Sequence, residues 1–541
     1  MSLSFDYDKH DEQDVLRHAK ALEKHKIGDV FCLLEKQQGG REKLLKKYAE
    51  QLIPEFIDKQ EAKKKVNKGS IGVFIQEVYF GLPQDNRPQA DLDEIGVEIK
   101  VSPLIRKPKA GLTVKERLVW GMINREKLPK EFTDSHIYDK CQLIMLVYYI
   151  DETNKGKYPL DFPFFKAAYI KIPDVDMAII KQDYEYIRDC VNQNRYHDLH
   201  ERDTNYLSPC RKGNGRAYSL KQKYMNQLFK EYISQNIVLY DPTTDKQTFD
   251  IIKKKESIVI DSEELKRNSF EEIVLRKFEL YIGKTITEIR KKLMDSDDYK
   301  EWLSKPTSDK ALFARTTFAM LGIKSEQAEE FVKSNTYVKT LRVNENLTMN
   351  EDISFSAFEF SDLMSETWKK STVYEEMVNR RFLWSVFKYD GKDFVFCGAR
   401  FWKMPEQDER KVHKGWNDIR DIVKNGVKFA LDQKADGTEI KTKRNKNRVL
   451  NSFPDAYNTT PGRKEYNLCR SSKKLNEIIS IRPHARSVYY DLKSIGYTDT
   501  DNSRCYGSKL PNGDIMTKQC FWFNNEYILK QIKDMFEDET K

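Results

Sequence analysis

The chain has 541 residues, with 94 Lys and Arg against 85 Asp and Glu, a formal net charge of +9. That length holds two or more domains with sizeable cores, and the modest basic excess is compatible with an anionic partner without demanding one. No apolar run reaches transmembrane length, the N-terminus has no signal-peptide core, and the 8 cysteines form no C-x-x-C pair. A membrane span, a zinc site and a disulfide framework are therefore not expected, and a reducing cytoplasm is the expected setting.

Helical periodicity dominates Asp11 to Leu52, and the acidic, then lysine-rich stretch to Asn67 predicts a surface helix and connection. Lys68-Gly-Ser-Ile-Gly72 through Phe80-Gly81 reads as a helix opened by small residues and closed by Gly81. Next comes Asp91-Leu-Asp-Glu-Ile-Gly-Val-Glu98-Ile-Lys100, a turn running into a strand. Strand alternation puts Val97, Ile99 and Val101 on one face and Glu98 and Lys100 on the other, with Asp91 near the entrance. Two carboxylates suit a hard divalent cation such as Mg²⁺. A neighbouring lysine can orient a water or stabilise charge on a phosphorane-like transition state. Together these residues suit metal-dependent phosphodiester cleavage.

Spacing alone is weak, because Asp432, Glu439 and Lys441 repeat it in a chain that is 33% charged. That second copy has polar residues and Gly437 between its acids and runs into the basic stretch Lys441 to Arg448, so it reads as a solvated loop. The first copy has context. Downstream lie Lys115-Glu-Arg117, then Ser135-His136-Ile-Tyr-Asp-Lys140 leading into the apolar strand Leu143 to Tyr149.

The order of a glycine-plus-glutamate helix, Asp-x6-Glu-x-Lys and a later lysine resembles the MutH/Sau family of endonucleases, in particular its GATC-cutting restriction members. The likeness extends to Tyr206-Leu-Ser-Pro-Cys210, Ala217-Tyr-Ser-Leu-Lys221 and Thr517-Lys-Gln-Cys-Phe-Trp-Phe-Asn-Asn525. The resemblance implies a PD-(D/E)xK nuclease core with metal-binding acids at Asp91 and Glu98 and the catalytic lysine at Lys100. It puts a further acid of the pocket at Glu77 and an additional active-site lysine at Lys140. From the residues alone, Glu77 reads rather as a solvent-facing helix charge, and Lys140 equally as a lysine at a strand start. His136 is expected to be structural or DNA-facing, since this chemistry needs no imidazole.

The chain reads as containing itself twice. Leu16-Arg17 and Ile27-Gly28 have counterparts in Leu275-Arg276 and Ile282-Gly283, the second helix being opened by the capping box Ser269-x-x-Glu272. The helix ending Phe80-Gly81 matches Phe313 to Gly322, and the strand Val97 to Val101 matches Thr336 to Thr340. On this pairing Phe318 stands at the place of Glu77, Tyr337 at that of Glu98 and Glu330 at that of Asp91, while Lys339 keeps the lysine. The expected architecture is α/β: two tandem MutH-like domains with mixed central sheets, the second degenerate, forming a DNA-binding clamp. Residues 1–242 form the catalytic domain, 243–262 a linker and 263–541 a DNA-binding or effector domain, as the resemblance implies for the second copy.

DNA contacts are expected where basic residues cluster with glycine or aromatics. Arg211, Lys212 and Arg216 fit, as do Arg482, His484 and Arg486, with Lys115 and Arg117 following the catalytic strand. The leading functional reading is a Mg²⁺-dependent type II restriction endonuclease acting on double-stranded DNA. It would self-associate on its target and work alongside a methyltransferase that protects host sites. The alternatives are a methylation-directed repair nickase, which needs only one domain, and a non-catalytic DNA-binding protein, which would not need the acid–lysine set.

Overall fold

The computed structural model describes residues 3–36, 42–52, 70–83, 87–107, 110–126, 128–237, 239–242, 246–247, 256–259, 261–441, 447–454, 475–485, 489–500 and 506–536. The expected connection at 53–67, most of the expected linker (243–245, 248–255 and 260), the middle of the basic run at 442–446 and Arg486 lie outside the described residues. The chain divides into two compact units, Met1–Val274 with Ile323–Asn335, and Leu275–Gly322 with Thr336–Lys541.

The first unit opens with α1 (Glu12–Ala21), α2 (Ile27–Lys36) and α3 (Glu42–Leu52), in the stretch where the periodicity is helical. Asp11 caps α1 by accepting a hydrogen bond from the Gln13 amide. The next helix, α4 (Ser70–Phe74), continues as a π-helical turn, Ile75–Tyr79, before Gly81 adopts φ 64°. A π turn holds more residues than an α turn, so it changes which side chains face the neighbouring sheet. Phe74, Ile75, Val78 and Tyr79 are fully buried there.

Two sheets follow, built from β1 (Val97–Lys107), β2 (Gly111–Val114), β3 (Leu118–Met122), β4 (Leu143–Ile150), β5 (Phe164–Ile170), β6 (Leu207–Lys212) and β7 (Gly215–Leu220). Three helices are interleaved: α5 (His136–Cys141), α6 (Asp174–Asn192) and α7 (Gln222–Glu231). The main sheet has the order β2-β1-β4-β5, and the second has the order β3-β7-β6. β1 and β4 run parallel from Val97 opposite Leu143 to Leu104 opposite Ile150, and β2 and β5 flank them antiparallel. Seven of the eight β4 residues are buried, as befits a central strand covered on both faces. Val97, Ile99, Met145 and Val147 share one core with α1 to α4. By alternation Glu98 and Lys100 face the other way.

The described end of the expected linker is partly buried. Ile258 and Val259 are buried, and their amides both donate to Glu330 Oε1 at 2.9 Å. Ser257 Oγ donates to the same oxygen at 2.6 Å. Glu330 lies on the helix Glu329–Ser334, which also carries Lys333. Lys333 Nζ reaches Asp176 Oδ2 on α6 at 2.6 Å and pairs with Glu329, and Tyr224 of α7 donates to the same Asp176 oxygen at 2.9 Å. Burial works against the Lys333 ammonium, but the two carboxylates outweigh it and hold it protonated above its ordinary range.

In the second unit β10 (Thr336–Val343) runs parallel to β12 (Arg381–Tyr389) from Thr336 opposite Arg381 to Val343 opposite Lys388, after the short hairpin of β8 (Tyr240–Asp241) and β9 (Lys246–Gln247) in the first unit. β13 (Phe394–Trp402) pairs antiparallel with β12. A second sheet joins β11 (Ile353–Phe358) to residues Gln519–Phe523 and Ile479–Arg482, and a third gathers Tyr489–Leu492, Tyr497–Thr500, Gly507–Lys509 and Ile515–Thr517. Trp384, Trp416 and Phe523 lie at the centre of this unit's core.

Replacing Lys333 with Met leaves Asp176 and Glu329 uncompensated in a buried place. The expected cost is about 3–5 kcal/mol in the first unit's stability, read as an earlier urea transition. A variant unfolding at the wild-type midpoint would show that this ion pair does not hold the segment in place.

Candidate active site

β1 is reached through a tight turn. Leu92 and Val97 exchange both backbone hydrogen bonds around the 3₁₀ turn Asp93–Ile95, and Gly96 closes it at φ 65°. That left-handed conformation favours glycine. The turn brings Asp91 back beside the strand, where its amide donates to Glu98 Oε2 at 3.2 Å and its Oδ2 accepts from the Ile99 amide at 2.9 Å.

Glu98 is wholly buried, at 0% exposure, so its charge must be answered inside the protein. Lys100, two residues along the same face, donates to Glu98 Oε1. Lys140, near the end of α5, donates to both carboxylate oxygens, at 3.2 and 3.1 Å. The β1–β4 register explains why both lysines arrive. Val97 stands opposite Leu143, so α5, ending just before β4, delivers Lys140 alongside the second residue of β1. The Lys100 side chain keeps 18% exposure and that of Lys140 10%. Burial lifts the Asp91 carboxyl above its ordinary range and the nearby Glu98 charge lifts it further, against the pull of Lys100 and Lys140.

Four of the five expected residues, Asp91, Glu98, Lys100 and Lys140, are therefore brought together. Glu77 is held elsewhere: its Oε2 accepts from Lys47 Nζ at 2.6 Å and from the Tyr48 hydroxyl, both on α3. Its neighbour Gln76 takes the place beside the acids. The Gln76 amide nitrogen donates to Asp91 Oδ2 at 3.0 Å and to the Ile99 carbonyl at 2.8 Å. Both residues lie in the π turn, whose altered spacing is not legible in the string Ile-Gln-Glu77-Val-Tyr. His136 starts α5 and packs edge-on to Tyr218 at 5.7 Å. Burial, then the Lys140 charge, holds its imidazole below its usual pKa.

Asp91 and Glu98 present hard carboxylate oxygens at one place, and Asp91 Oδ1 takes no hydrogen bond among the described residues. Among the described residues no three or more His, Cys, Asp or Glu side chains gather as a metal-binding group. The pair still fits Mg²⁺, which keeps several waters and is held by one or two carboxylates together with substrate phosphate.

The expected DNA-contact residues divide into two groups. Lys115 is paired with Asp151, and Arg117 donates to Glu201 at 2.5 Å. Arg482 is held by Asp352 at 3.0 Å and lies 4.0 Å over the Trp522 ring, which His484 also flanks at 5.0 Å. Arg211 and Lys212, by contrast, are exposed at the tip of the β6–β7 hairpin. Arg216 leans toward Tyr196 and donates to the His197 carbonyl at 2.8 Å. Arg125, which the sequence did not single out, lies over the same ring at 5.2 Å and braces the hairpin turn through the Asn214 carbonyl at 2.5 Å.

Burial opposes the Glu77 charge, but Lys47 and Tyr48 outweigh it and hold its carboxyl below the usual range. Glu77→Gln should therefore cost about 1–2 kcal/mol at neutral pH. Because the folded pKa is depressed, that contribution is present above the unfolded glutamate pKa and is lost as pH falls through the folded value. The gap between wild-type and variant unfolding midpoints should close on acidification, and a gap independent of pH would refute this account.

Comparison with known proteins bears on the same region. Residues 80–183, spanning β1, α5, β4 and β5, match the family model described as the DNA mismatch repair enzyme MutH. The type II restriction enzyme Sau3AI of Staphylococcus aureus is 32% identical over 517 residues, covering 87% of this chain and 94% of that protein. With this likeness running through both units, the chain belongs to the MutH/Sau-type restriction endonuclease family.

Proposed function

We propose that the protein is a type II restriction endonuclease that hydrolyses double-stranded DNA with Mg²⁺, at the sequence GATC. The observation that carries this reading is the convergence of Lys100 and Lys140 on Glu98 beside Asp91. A fully buried carboxylate with two lysines serves stability poorly, since well-packed apolar residues there would often be at least as stable. The arrangement suits chemistry in which a phosphodiester enters and the lysines exchange Glu98 for the substrate's charge.

Asp91 and Glu98 would hold Mg²⁺, which when bound polarises the phosphate oxygens. Lys100, the more exposed of the two lysines, orients the attacking water and answers the negative charge that grows on the phosphate oxygens. Until the phosphodiester enters, Lys140 neutralises Glu98 by donating to both of its carboxylate oxygens. The exposed hairpin tip, with Arg211, Lys212 and the braced Arg125 and Arg216, suits contact with phosphates or base edges. GATC rests on the likeness to Sau3AI, and a protecting methyltransferase follows from the restriction role.

The second unit we read as a diverged, non-cleaving copy that binds DNA. β10 and β12 form an eight-residue parallel ladder followed by an antiparallel strand, as β1, β4 and β5 do. At the ladder position of Glu98 stands Tyr337, whose ring lies 4.5 Å from Lys339 Nζ and 4.9 Å from the Arg380 guanidinium. Glu330, aligned with Asp91, lies in the first unit and is committed there to Ser257, Ile258 and Val259. With one such acid–lysine set among the described residues, cutting both strands requires two chains meeting on DNA or two successive nicks.

The test is digestion of plasmids carrying no, one or several GATC sites, with Mg²⁺ or EDTA, with the product ends sequenced. Cleavage at GATC that needs Mg²⁺ and quickens with a second site is the expected result. Asp91→Ala and Lys100→Ala should each slow it by about a hundredfold or more. Cutting elsewhere would remove the sequence assignment, single-strand nicking only would favour the repair-type activity, and full activity of Asp91→Ala would overturn the site.

A further inference from the structure

β1 has an unfinished edge at the site. On one side it pairs with β4 throughout Val97–Leu104, but on the other β2 reaches only Leu104–Lys107. At Ile99 the open edge is closed by side chains instead. The Ile99 amide donates to Asp91 Oδ2, and the Ile99 carbonyl accepts from Gln76 Nε2. The same Gln76 nitrogen also donates to Asp91 Oδ2. One primary amide thus spends its two N–H groups on the strand and on the carboxylate, and locks the second to the first.

The chemistry of the three partners restricts what can stand at position 76. Both atoms facing the amide nitrogen are acceptors, a carbonyl and a carboxylate oxygen, so the bridging group must offer two donors. A glutamate would set its own acceptors against them, although Glu77 is the next residue along. The π turn Ile75–Tyr79 decides between the two, sending Gln76 to Asp91 and Glu77 to Lys47 and Tyr48. π turns inside short helices are frequently found at functional sites.

We propose that Gln76 is a positioning residue for DNA cleavage: by bridging the Ile99 carbonyl and Asp91 Oδ2, it holds the Asp91 carboxylate with Oδ1 turned out for a divalent cation. This rests on reading Asp91 as a metal-holding acid. Gln76 touches neither cation nor DNA, and it acts only through Asp91. It differs from an ordinary structural amide in one respect, because its loss should weaken the cation's hold more than it weakens the fold.

The experiment compares full-length wild type, Gln76→Met, Gln76→Glu and Asp91→Asn. Gln76→Met keeps the chain's length without donors, and Gln76→Glu keeps its shape while reversing its polarity. Three quantities are read: thermal midpoint, Mn²⁺ affinity by calorimetry without DNA, and the Mg²⁺ concentration giving half-maximal single-turnover cleavage of a GATC duplex. Gln76→Met should melt close to wild type, bind Mn²⁺ about tenfold more weakly and need about tenfold more Mg²⁺. Gln76→Glu should be the more impaired of the two in cleavage. If Gln76→Met melts early, Gln76→Glu decides by the same metal readouts. Wild-type metal dependence in both Gln76 variants, with Asp91→Asn inactive, would overturn this proposal alone. An Asp91→Asn protein that cuts normally would overturn the site assignment and this proposal with it.

Discussion

The parallel ladder between β1 and β4 is the constraint on which the site depends. Its register, Val97 opposite Leu143, fixes two things at once. It decides which face of β1 carries Glu98 and Lys100, and it sets how far α5 must end before β4, which places Lys140. Strand side chains alternate with period two, so a one-residue slip would turn Glu98 and Lys100 into the core now filled by Val97 and Ile99. That core, shared with α1 to α4, makes the slip prohibitively expensive. The apolar packing therefore serves the polar site, since it is what makes the register unique.

Within that frame the electrostatics are closely balanced. Glu98 has no exposure and three donors, from Lys100, Lys140 and the Asp91 amide. Asp91 is less well served, and burial together with Glu98 makes its charge harder to hold. The less satisfied carboxylate is thus the one beside the turn, where it also keeps an oxygen without a hydrogen bond among the described residues. A dication or an incoming phosphate would relieve different parts of this imbalance. The cation would answer Asp91, and the phosphate would draw the lysines from Glu98. An acid–lysine cluster poised between two partial solutions is easier to explain by function than by stability.

The strand and the shared face of Glu98 and Lys100 were legible in sequence because both follow from period two, which is local. Val97 to Val101, the pairing of Glu98 with Lys100 on one face, and the apolar strand after Lys140 can all be read without knowing the fold. The surroundings of Glu77 could not be read, because they turn on an extra residue in one helical turn, and nothing in Ile-Gln-Glu-Val-Tyr announces a π geometry over an α one. Position 91 was legible as an acid near the strand, but its hydrogen bond to the Ile99 amide depends on the turn closed by Gly96. The segment around Glu330 and Lys333 misleads for a different reason. Local spacing aligns Glu330 with Asp91, while its carboxylate is taken up by backbone amides some seventy residues earlier in the chain. Long-range hydrogen bonds of that kind leave no periodic trace. The exposed Arg211 and the half-buried Arg216 of the β6–β7 hairpin were singled out by composition alone, whereas Arg125 was not, because it reaches the hairpin from another part of the chain.

If the second unit is a diverged copy, as proposed, it indicates what remains when an acid is lost from such a cluster. On β10 the residue at the Glu98 position is Tyr337, and two cations, Lys339 and Arg380, approach its ring. A ring face attracts cations as a carboxylate does, but by about 0.5–2 kcal/mol rather than through a full charge, and it offers no oxygen to a metal. On the proposed reading the positive side of the arrangement is kept, while this position offers no carboxylate to a cation. Cations held loosely over a ring are easier to redirect toward a phosphate than cations locked to a buried carboxylate. Tyr337 in place of an acid is thus compatible with the proposed binding of DNA without cleavage by this unit.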